Sequence, residues 1–216
     1  MSAAHAQRPD PALTEADFAQ SVGLDAAAEA RLDIFRTMLV DWNTRINLVG
    51  ASTLADFRQR HVIDSAQLLL YAPDAKTWAD LGAGGGLPGL VLAILLKDKP
   101  GVHVHLVESL SKRCRFLAAV VQALDLPATV HNGRAESLDL WVDVVTARAC
   151  APLTRLLGFA APYFKRGAHG LFLKSREVET EMAEARKTWN FDARIDPSFS
   201  DPRGRVVAIE RLTRAR

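Results

Sequence analysis

Hydrophobic residues in the first third of the chain recur every three or four positions, which is the spacing of one buried helical face. The clearest run lies between Leu32 and Ile46 and follows Asp25, a residue type that caps helix starts. Shorter helices are predicted between Thr14 and Gly23 and after Ser52. We therefore expect residues 1–72 to form a helical region that packs on the rest of the chain.

From residue 73 the pattern changes to short apolar runs that alternate with helical ones. The runs predict strands near residues 78–81, 102–107, 128–131, 142–147, 171–174, 191–196 and 206–210. The helical stretches between them cover residues 87–97, 111–124, 152–164 and 177–189. Strand and helix in turn are typical of an α/β fold, a Rossmann-like and mostly parallel sheet with helices on both faces. This sheet domain is predicted to span residues 73–216.

A glycine-rich stretch from Trp78 to Gly89, W-A-D-L-G-A-G-G-G-L-P-G, links the first predicted strand to a helix. Glycines at such a turn let a ligand approach bare main chain. The stretch matches the G-x-G-x-x-G pattern of dinucleotide sites, and Glu108 follows at a fitting distance. Asp80, however, places a carboxylate beside the expected position of the dinucleotide phosphates. S-adenosylmethionine carries a sulfonium and an ammonium instead of phosphates, so the stretch favours this cofactor over NAD.

Ligands of an open α/β sheet bind outside the carboxyl ends of its strands, so we expect the cofactor contacts at those ends. Glu108 ends the second strand, where a carboxylate can accept hydrogen bonds from ribose hydroxyls. The full set of cofactor-binding candidates is Asp80, Gly82, Gly84, Gly86, Leu87, Glu108, Ala135, Glu136 and Arg148. Arg148 is interpreted either as a clamp on the cofactor carboxylate or as a contact to an RNA phosphate.

Positive charge is concentrated towards the end of the chain, although the formal net charge is only +2. Residues 203–216 hold five arginines and a single acid, Glu210. Such a run indicates an anionic partner such as nucleic acid or, equally, a solubilising tail. The candidates for RNA contact are Arg60, His61, Lys112, Arg113, Arg115 and Lys174. His61 and Asp64 share a predicted helical face, and both a structural and a catalytic hydrogen bond between them remain open.

Composition limits the class of protein further. The 216 residues are 49% hydrophobic and 24% charged, as in one ordinary globular domain. The chain has no apolar run of membrane-spanning length and no signal-peptide core, so we expect a cytoplasmic protein that does not bind a membrane. No obligate protein partner is evident from the sequence. Cys114 and Cys150 indicate neither a disulfide framework nor a metal site.

Five motifs carry a resemblance to a known family. They are W-N-T-R-I-N-L at Trp42–Leu48, R-H-V-I-D-S at Arg60–Ser65, D-L-G-A-G-G-G-L-P-G at Asp80–Gly89, S-K-R-C-R-F-L at Ser111–Leu117 and A-R-A at Ala147–Ala149. In this order the motifs resemble the RsmG/GidB family, the small-subunit rRNA guanine-N7 methyltransferases. The match reaches from Trp42 to Lys174 and is far more specific than the glycines alone.

The resemblance implies a class I methyltransferase fold with S-adenosylmethionine as methyl donor. It implies a guanine in the decoding region of 16S rRNA as acceptor, in free rRNA or in a 30S ribosomal particle. It also implies that Gly82, Leu87, Ala135, Glu136 and Arg148 line the cofactor site. Guanine N7 has a lone pair and no proton near neutral pH, so no general base is expected and Arg148 would act by positioning. Cys150 and Ser175 depart from residues common in the family, which leaves the acceptor side less defined.

Other functions compete with this interpretation. Cys150 follows the fourth strand, where the nucleophile of an RNA cytosine-C5 methyltransferase would act. The glycine pattern alone also fits an NAD-linked oxidoreductase. A third alternative is a non-enzymatic ribosome-binding protein with a vestigial pocket.

Overall fold

The computed structural model describes residues 6–10 and 12–215, and within them the chain forms one mixed sheet. Its strands are β1 Thr77–Leu81, β2 His103–Glu108, β3 Ala128–Asn132, β4 Val144–Arg148, β5 His169–Ser175, β6 Trp189–Pro197 and β7 Gly204–Arg214. They lie in the order β3-β2-β1-β4-β5-β7-β6. The first five pair in parallel, and β7 runs antiparallel between β5 and β6. Each predicted strand is therefore present in a mostly parallel sheet.

Helices cover both faces of this sheet. They are α1 Glu15–Val22, α2 Ala26–Asn43, α3 Asp64–Ala66, α4 Leu68–Tyr71, α5 Gly89–Leu95, α6 Ser111–Leu124, α7 Leu153–Phe164 and α8 Val178–Ala185. Helices α2, α5 and α6 bury Phe35, Leu92 and Phe116 in a core on one face. Helices α7 and α8 bury Leu157 and Val178 in a second core on the other. Among the described residues, no helix combines the length and the apolar character that crossing a bilayer requires.

The helix ends of the N-terminal region follow the predicted capping residues. Thr14 and Asp17 form a reciprocal capping box at the start of α1, and Gly23 ends this helix in a left-handed conformation with φ 73°. The Asp25 carboxylate accepts the N–H of Ala28 at 2.8 Å and caps α2. These local signals are confirmed because they depend on neighbouring residues alone.

The N-terminal helices share a core with the sheet. The ring centroid of Phe116 in α6 lies 6.4 Å from that of Phe35 and 5.7 Å from that of Trp42, both in α2. A π-helix, Arg58–Ile63, leads from this region into α3. The division between a helical region of residues 1–72 and a domain of residues 73–216 stays a prediction.

The C-terminal strands are longer than their apolar runs predict. Strand β6 begins at Trp189, which the sequence places at the end of a helix, because Trp189 pairs with Arg214 across an antiparallel hairpin. Arg211 forms an ion pair with Asp192, and the Arg214 guanidinium lies 5.8 Å from the Trp189 ring centroid. Most of the arginine-rich end therefore belongs to a strand and is no free tail.

Candidate functional site

The glycine stretch forms a tight turn between β1 and α5. The N–H groups of Gly82 and Ala83 both donate to the carbonyl of Val107, at 2.8 and 3.0 Å, which fixes the turn against β2. Gly82 has φ 71°, and a Cβ atom built on it would lie 2.6 Å from the Cys150 sulfur. A residue with a side chain at this position would need strained backbone and a shift of Cys150. The turn therefore requires glycine here.

Asp80 supports this glycine loop, residues 82–89, from below. Its carboxylate accepts the N–H of Gly89 at 2.9 Å and faces the hydroxyl of Thr146 at 3.4 Å. Complete burial raises the pKa of Asp80 to about 7, and these hydrogen bonds oppose the rise. The sequence places this acid at the ligand, whereas the structure places it beneath the loop, where it anchors the start of α5.

Glu108 holds the other side of the loop. One carboxylate oxygen accepts the N–H of Gly84 at 3.1 Å, and the other accepts the N–H of Leu110 at 2.8 Å. The Arg113 guanidinium lies 3.6 Å from the same carboxylate. Two buried acids, Asp80 and Glu108, therefore flank one stretch of bare main chain.

A cavity of about 760 Å³ opens above this loop. One wall is the loop itself, with Gly82, Gly84 and Leu87. The N-terminal region forms another part of the wall, and the ends of β4 and β5 and the turn between β6 and β7 complete the cavity. The cavity therefore lies between the N-terminal helices and the carboxyl ends of the strands, as expected for an open α/β sheet.

Residues 44–50 supply a part of the wall that sequence reasoning missed. The Asn43 side chain accepts the N–H groups of Leu48 and Val49 at 2.9 and 3.0 Å and donates to the carbonyl of Val49 at 3.1 Å. A Cβ atom on Gly85 would lie 3.1 Å from a Val49 methyl group, so this loop packs directly on the glycine loop. Asn43 and most of this loop belong to the W-N-T-R-I-N-L motif, but the sequence alone does not show that the motif lies beside the glycine loop.

Arg148 lies at the end of β4 and lines the cavity. Its guanidinium donates to the carbonyl of Arg60 at 3.0 Å, to the carboxylate of Asp64 at 3.2 Å and to Nδ1 of His61 at 3.1 Å. The N-terminal region therefore fixes the arginine that was predicted at the reacting end of the cofactor. His61 and Asp64 both contact Arg148, and no hydrogen bond joins the two among the contacts of the described residues.

The predicted RNA contacts fall into different environments. Arg60 and Arg113 line the cavity and are partly exposed, whereas Lys112 and Arg115 lie on the exposed surface of α6 and are not part of the cavity wall. Lys174 lines the cavity, but its ammonium is largely buried against Glu181 at 2.6 Å and the carbonyl of Ala151 at 3.2 Å. Through these two contacts Lys174 links the segment between β4 and α7 to α8.

Ala135 and Glu136, the predicted adenine contacts, follow β3 in a 3-10 turn. Ala135 is buried and its carbonyl accepts the Tyr163 hydroxyl at 2.9 Å, and Glu136 is exposed. Neither residue belongs to the wall of the 760 Å³ cavity, and neither does Gly86.

The environment of Cys150 disfavours a thiolate. Burial raises the pKa of this thiol, and the nearby carboxylates of Asp80 and Glu108 raise it further. A cysteine that acts as a nucleophile needs the opposite shift. In the part of the chain that the structure describes, no group of three histidine, cysteine or acidic side chains is arranged to hold a metal ion.

Comparison with known proteins decides the family. Residues 28–204 match the family model of GidB, rRNA small subunit methyltransferase G. The chain belongs to this family. Similar members of the GidB family include Ribosomal RNA small subunit methyltransferase G of Caulobacter vibrioides strain NA1000, 57% identical over 208 residues that cover 96% of each chain. The protein of the same name from Bradyrhizobium sp. strain BTAi1 is 45% identical over 190 residues, 86% of each chain.

A solved structure supports the fold independently of the GidB sequences. A SAM-dependent methyltransferase from Aquifex aeolicus superposes with a TM-score of 0.52 at 14% identity, over 73% of this chain and 92% of the other. At this identity the likeness concerns the fold. The predicted class I methyltransferase fold is thereby confirmed, and the resemblance drawn from the five motifs is confirmed by the family match.

Proposed function

We propose that this protein transfers a methyl group from S-adenosylmethionine to N7 of a specific guanine in the 16S rRNA of the small ribosomal subunit. The observation that carries the proposal is the glycine loop between two buried carboxylates, in a chain of the GidB family. The substrate is free 16S rRNA or a 30S particle that contains it.

The residues around the glycine loop fit the proposed cofactor. Gly82 and Gly84 present main chain without side chains, and Asp80 and Glu108 place negative charge under and beside them. Such a surface favours a cationic ligand and disfavours the two phosphates of a dinucleotide. When bound, S-adenosylmethionine supplies an electrophilic methyl group on its sulfonium.

Each part of the site has a separate task in binding. We expect the glycine loop and Leu87 to contact the cofactor along its length and Glu108 to accept its ribose hydroxyls. Leu110, two residues after Glu108, is 45% exposed and offers an apolar side chain that adenine can cover. Arg148 lines the same cavity, and we expect the methyl group and the guanine to meet beside it.

The reaction requires these residues to align two ligands, with no proton transfer. Guanine N7 attacks with an in-plane lone pair and carries no proton near pH 7. The positive charge moves from sulfur to the base. The cavity therefore needs to orient both ligands and to exclude water, and Arg148 in its frame of protein contacts is suited to the first.

Exposed arginines around the cavity are suited to the RNA backbone. Arg60 comes from the π-helix, Arg176 follows β5 and Arg203 lies in the turn between β6 and β7. Contacts of this kind position the RNA without reading its sequence. The choice of guanine N7 rests on the family.

The experiment is methyl transfer to 30S particles from a strain that lacks this protein. Tritium-labelled S-adenosylmethionine should label 16S rRNA at one guanine, and borohydride and aniline treatment should cleave the chain there, because N7 methylation weakens the glycosidic bond. Label on a pyrimidine, or binding to 30S particles without any label, would contradict the proposal.

A Cys150→Ser variant separates the cytosine alternative. If the thiol forms no covalent bond, its kcat should stay within about threefold of wild type, since serine is similar in size. Complete loss of methyl transfer with unchanged cofactor affinity would favour a cysteine nucleophile.

A further inference from the structure

The partners of Arg148 belong to one short segment of the N-terminal region. Arg60, His61 and Asp64 all lie in the π-helix or directly after it, and each contacts the guanidinium group. An arginine side chain has five N–H groups. The three contacts use both N–H groups of Nη1 and one of Nη2, so Nε–H and one Nη2–H have no partner among the hydrogen bonds of the described residues.

The hydrogen bonds of His61 determine where its proton lies. A guanidinium only donates, so Nδ1 of His61 must accept from Arg148 and carries no hydrogen. The Thr53 hydroxyl donates its single proton to the carbonyl of Gly50 at 2.7 Å. It therefore accepts from Nε2 of His61 at 2.8 Å. Only the neutral imidazole with its proton on Nε2 satisfies all of these contacts.

The surroundings of His61 favour this neutral form. The residue is 3% exposed. Burial lowers the pKa of His61 to about 4, and the charges of Arg148 and Arg60 act in the same direction. A buried neutral histidine next to an arginine is suited to accept a hydrogen bond. It is unsuited to the RNA contact that the sequence suggests for His61, because a phosphate needs a hydrogen-bond donor or a positive charge.

Asp64 completes the frame from the other side. Its second oxygen accepts the hydroxyl of Ser200 at 2.7 Å and the amide of Gln67 at 3.2 Å. The carboxylate that faces Arg148 is therefore itself held, by its own helical segment and by the turn between β6 and β7. A charge held on two sides leaves the guanidinium little freedom to rotate.

We propose that His61 is a positioning residue, whose unprotonated Nδ1 holds Arg148 so that two guanidinium N–H groups are presented to an anionic oxygen in the cavity. This inference rests on the proposed function. The anionic oxygen belongs either to the carboxylate of S-adenosylmethionine or to a phosphate of the RNA. Substitution of His61 should raise the KM for S-adenosylmethionine in the first case and the KM for RNA in the second.

The test uses two substitutions that each keep one half of the imidazole. His61→Asn retains an acceptor near the position of Nδ1, and His61→Gln retains a polar group near Nε2 that can still reach Thr53. If His61 only packs or only bonds Thr53, the glutamine variant should equal or exceed the asparagine variant. If it positions Arg148, the asparagine variant should be the more active.

We expect His61→Gln to lose about tenfold to hundredfold in kcat/KM, and His61→Asn to stay within about threefold of wild type. A rise in the KM for S-adenosylmethionine assigns the anionic oxygen to the cofactor, and a rise in the KM for RNA assigns it to phosphate. Equal losses in both variants, or a smaller loss in His61→Gln, would overturn the proposal. His103→Gln is the matched control, because His103 makes the same kind of contact to a threonine, Thr129 at 2.8 Å, without an arginine.

A second measurement does not depend on catalysis. Rotation of the Arg148 guanidinium, followed by side-chain nitrogen NMR and assigned by loss of the signal in Arg148→Lys, should be slow in wild type and in His61→Asn. It should be fast in His61→Gln. Fast rotation in wild type would overturn the positioning role even if the methyl transfer is as proposed. Slow rotation in an inactive wild type would instead contradict only the proposed function.

Discussion

Gly82 lies at a position where a hydrogen atom fits and a methyl group does not. A left-handed conformation costs about 1–2 kcal/mol for a residue with a side chain, and the Cβ atom would also press on Cys150 at 2.6 Å. We expect Gly82→Ala to bind S-adenosylmethionine at least about tenfold more weakly than wild type, as measured by calorimetry.

Gly101→Ala is the matched control for Gly82. Gly101 has a similar φ of 76°, but the nearest atom to its Cβ position is a Lys76 side-chain carbon at 3.8 Å. Both variants should lose thermal stability through backbone strain, and only Gly82→Ala should lose cofactor affinity. Equal affinities in the two variants would mean that the glycine loop does not carry the cofactor.

We expect Asp80 to give the proposed cofactor site a pH dependence. Because the pKa of Asp80 is raised to about 7, its carboxyl group is largely neutral at about pH 6 and charged at about pH 8. A cationic donor favours the charged form, so the affinity for S-adenosylmethionine should rise over this range. The affinity for S-adenosylhomocysteine, which lacks the sulfonium charge, should rise less. In Asp80→Asn, which keeps an oxygen for Gly89, both affinities should be flat, and an unchanged rise there would exclude Asp80 as its source.

The same residue affects unfolding in the opposite sense. The unfolded carboxyl group titrates near 3.8, so the folded protein without ligand binds the extra proton between about pH 4 and pH 7. The contribution of Asp80 to stability is therefore fully present below that window and is lost as the pH rises through about 7. Asp80→Asn should show a flatter dependence of the unfolding free energy on pH, measured by urea titration.

At the scale of elements, the loop of residues 44–50 depends on one side chain. Asn43→Ala removes three hydrogen bonds to Leu48 and Val49, each worth about 1 kcal/mol. We expect a moderate loss of stability and a loss of cofactor affinity of about tenfold, because this loop packs on Gly85. Asn47→Ala, in the same loop but at an exposed position, is the control and should affect neither quantity.

Elements with local signals could be predicted from the sequence. The caps Thr14, Gly23 and Asp25 and the turn around Gly82 all lie where the residue types indicate, because neighbours in sequence determine them. The walls of the cavity could not be predicted in this way. Val49 packs on Gly85, and the Gln67 amide donates a hydrogen bond to the Ser198 hydroxyl. Both contacts join distant parts of the chain, and no local sequence pattern indicates them.

The candidate site was predictable to a similar degree. Alternation of strand and helix placed Arg148 at the carboxyl edge of the sheet, where it lies. The hydrogen bonds that the N-terminal region makes to Arg148 could not be predicted, because the residues around His61 are equally compatible with an exposed basic surface that contacts RNA. Asp80 and Lys174 were recognised as chemically important, but burial gives them roles beneath and beside the cavity, and burial is a property of the packed molecule.

For RNA binding by the molecule as a whole, the positions of the basic residues matter more than the net charge. The net charge is +2, yet arginines from separate elements border the same cavity, whereas Arg194 and Arg211 are paired with acids inside the β6–β7 hairpin. Among the described residues, Arg176 forms an ion pair with Glu177 and Arg203 with Asp201, each at 3.3 Å on the exposed surface. Such exposed pairs are weak, so either arginine can exchange its partner for a phosphate.

Removal of both arginines should therefore lower the salt dependence of RNA binding. Each phosphate contact contributes about one unit to the slope of log K against log salt, so Arg176→Ala/Arg203→Ala should reduce that slope by up to about two units. Cofactor affinity should not change. Arg211→Ala is the control, because Arg211 pairs with Asp192 in the hairpin and does not border the cavity. If removal of Arg211 flattened the salt dependence as much as the double substitution, the RNA would run along the outer hairpin, and the cavity would not set its path.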